Sequence, residues 1–476
     1  MRIAAIDQGT TSTRALTIDA LGVIDVVHAV EHKQYYPNSG WVEHDPEELI
    51  RSITACANAL PDVAAIGIDN QGESCLAWDS ETKLPLSNVI VWQDRRTTDT
   101  IETLKQRGGE DVTLARAGLP LDPYFSAAKL GWILANLPAA QDAHKRGTLR
   151  LGTTDAFFLD RLTDHFVTDV STASRTSLMN LDTLEWDADL CALFGVPMEA
   201  LPKITPTTGD FGALETAHGP RPITASVVDQ QAALYGFGCR DAGDVKITFG
   251  TGAFALMVTG NTPHRVPEQG LLPTVAWQIA GEPPVYALDG GVYTASAALN
   301  WAKSLGLFDD FAEINGFDGP AAMDRGLVFV PALSGLGCPH WDARARGVWL
   351  GLSIDHGPQD MVQSILEGIA FRAAQTIAAM GGIAAQTGPI PIDGGMSGNP
   401  YFVQFLADIL GREVRRATMP EVTGYGAAML AAQGAGIALP ALAGFEPFSA
   451  KTAPDGAMAR FDAACEISRQ WKLPNR

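Results

Sequence analysis

The stretch IAAIDQGTTSTRALTID, from Ile3 to Asp19, lies near the start of a 476-residue chain and predicts a β-hairpin. Four apolar residues beginning at Ile3 predict a buried strand, Gly9 permits a tight turn, and a second apolar strand returns through Leu16. The turn offers backbone N–H groups and hydroxyls, a surface that can bind a phosphate. Asp7 stands beside the turn and is a candidate ligand for Mg²⁺. For a single turn of this kind, a β-turn with solvated hydroxyls is the alternative interpretation.

A second copy of this design lies near the middle of the chain. The segment VKITFGTGAFALMV, from Val245 to Val258, again has an apolar strand, a Gly-Thr-Gly turn and a returning apolar strand. An internal repeat of a phosphate-binding hairpin predicts two related lobes that face one nucleotide. We therefore predict an N-terminal lobe of residues 1–238, on the substrate side, and a C-terminal lobe of residues 239–476, on the nucleotide side.

Other apolar strands alternate with helical stretches, which predicts an α/β fold with largely parallel sheets. Two of these strands end in polar clusters: Val63–Ile68 precedes Asp69–Glu73, and Ile223–Val228 precedes Asp229. Open α/β sheets bind ligands at the carboxyl ends of their strands, so Asp229 is a candidate catalytic residue. The alternative is that Asp229 only caps the helix that follows.

Two local patterns predict helices. Asp45 is a good N-cap with Pro46 at the first helical position, and Glu48 is spaced to complete a capping box. The run of small residues from Val292 to Trp301 predicts a second helix.

Composition restricts the class of partner. The chain has 34 Lys and Arg against 54 Asp and Glu, a net charge of −20, which disfavours nucleic acid as a partner. A small anionic cofactor can still bind, because hairpin amides and a metal ion supply a local positive field. The six cysteines form no C-x-x-C motif and predict reduced residues of a cytoplasmic protein. No apolar run approaches the roughly 18 residues needed for membrane insertion.

Together these motifs resemble the FGGY carbohydrate kinases, and most strongly the members that phosphorylate glycerol. The matching segments are Asp7–Ser12, Gly40–Pro46, Val91–Gln93, Asp122–Ser126, Asp229–Gln231, Gly250–Gly252 and Asp393–Gly395. The resemblance implies two actin-like (ribonuclease H-like) domains with a cleft between them that closes on binding. It also implies ATP-dependent, Mg²⁺-dependent transfer of a phosphoryl group to a hydroxyl of a small polyol or sugar, and a homo-oligomer, either a dimer or a tetramer.

The resemblance further implies roles for single residues. Asp229 matches the general base and, with Asp7, a ligand of Mg²⁺. The residues that match substrate-binding positions are Gly72, Glu73, Trp92, Tyr124, Asp229, Gln230 and Phe254. Those that match nucleotide-binding positions are Thr10, Thr11, Ser12, Arg14, Thr251, Ser296, Asn300, Gly395 and Asn399.

One position departs from the family pattern. Gly72 stands where an arginine is usual, and glycine offers no side-chain donor to a substrate hydroxyl. We therefore expect either weak glycerol binding or a freed volume that admits a four- or five-carbon polyol or ketose, such as erythritol or xylulose. Glycerol remains the leading substrate, because the other polar residues and both aromatic walls of the matched site are in place. A regulatory member of the superfamily that uses ATP as a conformational switch is the non-enzymatic alternative.

Overall fold

The computed structural model describes residues 1–471 and consists of two mixed α/β lobes. The strands are β1 Arg2–Gln8, β2 Ser12–Asp19, β3 Ile24–Glu31, β4 Glu43–His44, β5 Ile66–Asn70, β6 Cys75–Asp79, β7 Val89–Ile90, β8 Leu149–Thr153, β9 Val167–Asp169, β10 Met179–Asn180, β11 Glu185–Trp186, β12 Lys203–Thr205, β13 Ala213–Leu214, β14 Arg221–Val228, β15 Val245–Phe249, β16 Ala253–Gly260, β17 Leu272–Trp277, β18 Val285–Val292, β19 Val328–Val330, β20 Val348–Leu350, β21 Ile390–Asp393, β22 Val414–Ala417 and β23 Phe445–Phe448. The helices are α1 Pro46–Ala59, α2 Thr98–Gln106, α3 Gly109–Arg116, α4 Ser126–Asn136, α5 Pro138–Arg146, α6 Thr154–Thr163, α7 Val170–Ala173, α8 Ala188–Phe194, α9 Asp229–Gly236, α10 Ser296–Ser304, α11 Pro358–Gly381, α12 Pro400–Leu410, α13 Val422–Gly434 and α14 Ala457–Gln470.

The main sheets of the two lobes share one topology. Their strand orders are β13-β14-β5-β1-β2-β3 and β17-β18-β16-β15-β21-β22-β23. In each sheet a hairpin (β1 with β2, or β15 with β16) pairs on one side with a third antiparallel strand, β3 or β18. On its other side lie two parallel strands, β5 and β14 or β21 and β22. The repeat predicted from two hairpins thus extends over five strands, and the α/β class is confirmed.

The continuous apolar run of β1 reflects a sheet that is covered on both faces. Ile3 and Ala5 belong to a buried cluster with residues of α9 and α13, whereas Ala4 and Ile6 belong to a cluster with residues of α1. All four side chains are almost completely buried. Covering both faces fixes the register of β1, so the polar residues that follow it emerge at the edge of the sheet.

Helices α9 and α13 pack against each other at the junction of the lobes, and their backbones approach closely at glycines. A methyl group at Gly426 would lie 1.8 Å from the carbonyl oxygen of Ala232, and one at Gly236 would lie 2.4 Å from that of Val422. Any larger residue at either position would push the helices apart. Since α13 packs against β1 and α9 contacts β16, this close approach links the two main sheets.

Two details of the predicted helices were wrong. Asp45 does cap α1, since its carboxylate accepts a hydrogen bond from the N–H of Glu47, but Glu48 instead accepts one from the N–H of Lys33 and no capping box forms. The helix predicted from Val292 begins only at Ser296, because Val292 pairs with Ala253 in the sheet. Within residues 1–471, none of the helices is both long and apolar enough to span a bilayer.

Candidate functional site

The turns of the two predicted hairpins meet at one cavity. Thr10 from the turn between β1 and β2 lines it, as do Gly250, Thr251 and Gly252 from the turn between β15 and β16. The second turn is fixed in place because the carbonyl of Thr251 accepts a hydrogen bond from the N–H of Ala295, just before α10. Both turns leave small residues at the cavity, so their backbones can approach a phosphate closely.

All of the predicted substrate-binding residues line this cavity, whose volume is about 170 Å³. They are Gly72, Glu73, Trp92, Tyr124, Asp229, Gln230 and Phe254. The rings of Trp92 and Tyr124 pack edge to face with centroids 5.9 Å apart, and the indole N–H of Trp92 donates to the hydroxyl of Thr10 at 3.1 Å. Pockets for drug-sized ligands measure about 300–1,000 Å³, so this cavity suits a much smaller molecule.

Glu73 has an unusual backbone conformation. Its φ is 58°, in the left-handed region that residues with a Cβ seldom occupy and that recurs at functional sites. The carbonyl of Glu73 accepts a hydrogen bond from the hydroxyl of Ser126, at the start of α4, at 3.0 Å. This turn directs the buried carboxylate of Glu73 toward the cavity rather than along the strand.

Asp229 begins α9 directly after β14, and it also lines the cavity. One carboxylate oxygen accepts a hydrogen bond from the N–H of Gln230 at 2.6 Å. Burial, reinforced by the charge of Glu73, raises the pKa of Asp229 to about 7. A carboxyl group with this pKa can exchange a proton near neutral pH, which capping a helix does not require.

Asp7 lies beneath the first turn and next to the buried acid Asp69. It is opposite Asp69 in the parallel pairing of β1 with β5, and a Cβ on Gly9 would lie 3.8 Å from its Oδ1. Burial raises the pKa of Asp7, and burial together with the charge of Asp7 raises the pKa of Asp69 well above its ordinary range. In residues 1–471 neither carboxylate oxygen of Asp69 has a hydrogen-bond partner other than the neighbouring carboxyl of Asp7. A proton or a cation would relieve this repulsion.

The other predicted residues of the first hairpin differ in accessibility. Thr11 is exposed at the turn, and its carbonyl accepts a hydrogen bond from the N–H of His32. The carbonyl of Ser12 closes the turn by accepting one from the N–H of Gly9 at 3.0 Å. Arg14 forms an ion pair of 2.9 Å with Glu421, the residue before α13. The hairpin is therefore tied to the helix at the junction of the lobes.

A second cavity, of about 490 Å³, collects four of the five predicted nucleotide-binding residues of the C-terminal lobe, while Thr251 lines the small cavity. Ser296, Asn300, Gly395 and Asn399 all line it, together with Phe311. The amide of Asn399 is already engaged, since its oxygen caps α12 and its nitrogen donates to the carbonyl of Ile314 at 2.7 Å. Asn399 thus shapes the cavity wall and has little capacity left for a ligand.

The Gly-Gly pair after β21 lies between the two cavities and lets its backbone approach that of β15 closely. Gly394 has a φ of 87°, and a Cβ there would lie 2.3 Å from the carbonyl oxygen of Phe249 at the end of β15. Only glycine fits this position. The turn after β21 is consequently held against the second hairpin, and Gly395 reaches the larger cavity.

Sequence comparisons agree with this geometry. Residues 2–236 match the N-terminal domain of the FGGY family of carbohydrate kinases, and residues 245–435 match its C-terminal domain. The chain belongs to the FGGY family of carbohydrate kinases.

Similar proteins include glycerol kinases from two bacteria. The enzyme of Burkholderia cenocepacia is 41% identical over 445 residues, covering 90% of this chain and 88% of the relative. The enzyme of Citrifermentans bemidjiense is 42% identical over 451 residues, covering 91% and 90%. Among solved structures, Plasmodium falciparum glycerol kinase with ADP has a TM-score of 0.90 at 30% identity, covering 100% of this chain and 99% of that one. Xylulose kinase from Lactobacillus acidophilus, at 22% identity and a TM-score of 0.85 over 98% and 97%, shares the fold.

Sequence reasoning missed three charged residues of this FGGY site. Arg175 and Asp289 line the small cavity, and Lys246 on β15 donates to the side-chain oxygen of Gln230 at 2.6 Å. Lys246 and Asp289 interrupt apolar strands, which was a usable signal. Arg175 lies in a polar loop after α7, where a charged residue is common and gives no sequence signal of a functional role.

Proposed function

We propose that this protein transfers the γ-phosphoryl group of ATP to a terminal hydroxyl of glycerol, giving glycerol 3-phosphate. The observation that carries the proposal is the small cavity in which Asp229, with its pKa near 7, faces both hairpin turns. The glycerol kinases at about 41% identity, and the Plasmodium glycerol kinase structure with ADP, agree with it.

In the proposed reaction, Asp229 accepts the proton of the attacking hydroxyl. The hydroxyl oxygen forms a bond to the γ-phosphorus, the bond between that phosphorus and the β,γ-bridging oxygen breaks, and ADP leaves. Trp92 and Phe254 would pack against the carbon chain, while Glu73, Tyr124 and Gln230 would bind its hydroxyls. Positioning and electrostatics supply most of the catalysis in phosphoryl transfer, so the rigidity of these contacts matters.

The nucleotide would occupy the larger cavity and extend its phosphates toward the two turns. We assign the base and ribose side to Ser296, Asn300 and Gly395, with Asn399 shaping the wall, and the phosphates to Thr10, Thr11, Ser12, Arg14 and Thr251. The path from the cavity at α10 to the turn at Thr251 is short, because the N–H of Ser296 donates to the carbonyl of Gly250 at 3.2 Å.

The buried acids beside the first turn fit a magnesium ion. The unpartnered oxygens of Asp69 and the raised pKa of Asp7 indicate a place that lacks a positive charge. In the described part of the chain, no cluster of three or more His, Cys, Asp or Glu side chains could hold a metal ion alone. That agrees with Mg²⁺, which typically uses one or two carboxylates, waters and substrate phosphates. Asp7 and Asp229 would hold it, and it would neutralise charge on the transferring group.

An ATP-consumption assay across three- to six-carbon polyols and ketoses tests the proposal. We expect glycerol to give the highest kcat/KM, because a cavity of about 170 Å³ leaves little room for a longer chain. A preference for erythritol or xylulose would favour the alternative substrates. Absence of any polyol-dependent ADP release, with ATP binding intact, would favour the nucleotide-switched regulatory alternative.

We also propose a cytoplasmic homo-oligomer, a dimer or a tetramer. All six cysteines lie within residues 1–471, where each is unpaired and buried, as expected in a reducing compartment. Light scattering coupled to size exclusion would give the assembly, and a mass near 50.5 kDa would contradict it.

A further inference from the structure

Arg175 places a buried guanidinium at the wall of the small cavity. Its side chain is only 4% exposed, its Nε donates to Glu73 at 2.7 Å, and its Nη2 donates to Asp289 at 2.9 Å. Although burial disfavours the cation, Glu73 and Asp289 raise the pKa of Arg175 above its usual value. The arginine is therefore charged and held by one acid from each lobe.

The remaining edge of this guanidinium is free. Over residues 1–471, Nη1 of Arg175 has no hydrogen-bond partner, and neither does Oδ1 of the buried Asp289. A buried donor and a buried acceptor without partners are each costly, so both are expected to find them in a ligand. Both residues line the cavity.

The pair matches a hydroxyl group, which donates one hydrogen bond and accepts others. Nη1 of Arg175 can donate to a hydroxyl oxygen while Oδ1 of Asp289 accepts its proton. Gly72, which also lines the cavity, offers no side-chain donor, so Arg175 supplies a charged donor there. Asp229, by contrast, is the group available to the hydroxyl that reacts.

We propose that Arg175, with Asp289, binds a hydroxyl of the substrate other than the one that is phosphorylated, and so selects triols over diols. This inference rests on the proposed polyol kinase function. Arg175 is a substrate-binding residue here, and because Glu73 and Asp289 come from different lobes, it also couples recognition to the relative position of the lobes.

The test compares glycerol with propane-1,2-diol and propane-1,3-diol in wild type and in Arg175→Lys. This substitution keeps the positive charge but loses the planar guanidinium and its several N–H donors. In wild type, the diol that lacks the bound hydroxyl should have a kcat/KM lower by about ten- to a hundredfold, as for one hydrogen bond to a charged group. In Arg175→Lys, glycerol should lose about that factor, mainly through KM, while this diol changes by less than about threefold. An equal loss for all three substrates would overturn the inference.

Arg96→Lys is the matched control. Arg96 is also buried, with a side-chain exposure of 2%, and it also pairs with two acids, Glu43 and Asp94, but it does not line the cavity. Arg96→Lys should lower the melting temperature while leaving the triol-to-diol ratio unchanged. If Arg175→Lys does not fold, Asp289→Asn, which removes the acceptor at constant volume, should reduce the same ratio.

Calorimetric titration of glycerol and the diols separates this inference from the proposed function. If wild type binds glycerol more tightly than the diols, and Arg175→Lys loses that preference, the inference holds even if no polyol is phosphorylated. If glycerol is phosphorylated but the preference survives in both Arg175→Lys and Asp289→Asn, only the inference fails. If wild type binds glycerol and both diols equally, the inference also fails.

Discussion

The two hairpins have the same backbone but different charges beneath their turns. Under the first turn lies Asp7, paired in register with Asp69; at the matching place under the second lies Thr248, paired with Asp393. Lys246, two residues earlier on β15, donates to the hydroxyl of Thr248 at 2.8 Å. The difference extends to Asp229, whose pKa the charge of Asp7 raises and that of Lys246 lowers. A duplicated scaffold thus supplies an acidic and a basic neighbour to one carboxylate.

The largest effect is expected from removing the carboxylate of Asp229, on which both hairpins act. Asp229→Asn keeps the volume but cannot accept a proton, so kcat should fall by about 10²-fold or more. A coupled ADP-release assay with saturating ATP and glycerol measures this. Nucleotide binding, followed by calorimetry, should be retained within about threefold. Turnover at the wild-type rate would mean that Asp229 is not the base.

The next largest effect compares substitutions at the matching positions under the two turns. Asp7→Asn should lower kcat/KM for ATP by about ten- to a hundredfold, because a charged interaction is lost. Thr248→Val, at the matching position, should lower it by less than about tenfold, because a neutral hydroxyl contributes less.

Thermal unfolding with and without Mg²⁺ supplies the control for this pair of variants. Stabilisation by Mg²⁺ should weaken in Asp7→Asn and persist in Thr248→Val. Equal losses of stabilisation in both would mean that the two turns share the metal, contrary to the charge difference described above.

A smaller effect concerns pH. Asp229 has a raised pKa, so its carboxylate is protonated and inactive below about pH 7, and kcat/KM should rise with pH up to that point. Lys246→Gln removes a positive charge that lowers the pKa of Asp229 and should move the midpoint upward. Asp7→Asn removes a negative charge and should move it downward. Profiles that coincide for all three proteins would show that the hairpins do not act on Asp229.

The difference between the hairpins was only partly predictable from sequence. The apolar strands and Gly-containing turns are local features, so both hairpins could be located from sequence. The end of a strand marked Asp229, whereas the other substrate-side candidates came from the family resemblance. The Arg175 contacts join residues 102 and 114 positions apart, and the contact with Asp289 crosses the lobes, so no local pattern encodes them. The prediction that α10 begins at Val292 failed for a related reason. Val292 pairs with Ala253 in the sheet, and this pairing overrides the helical preference of the small residues.

The smallest expected effect is at Gly72, where the end of β5 differs from the end of β21. A Cβ at Gly394 would meet the backbone of β15, whereas a Cβ at Gly72 would meet only a methyl group of Val228, at 2.8 Å. Gly72→Ala should therefore fold, and its methyl should narrow the cavity slightly and raise the KM for glycerol by less than about tenfold, the lower part of the range for mild overpacking. For erythritol, with one more carbon, the KM should rise more than for glycerol.

The double variant Gly72→Ala with Val228→Ala makes room for the methyl and should reverse most of the rise in KM. If erythritol proved the better wild-type substrate and Gly72→Ala abolished its use while sparing glycerol, the open position at Gly72 would be the feature that admits a longer chain, and glycerol would no longer be the preferred substrate.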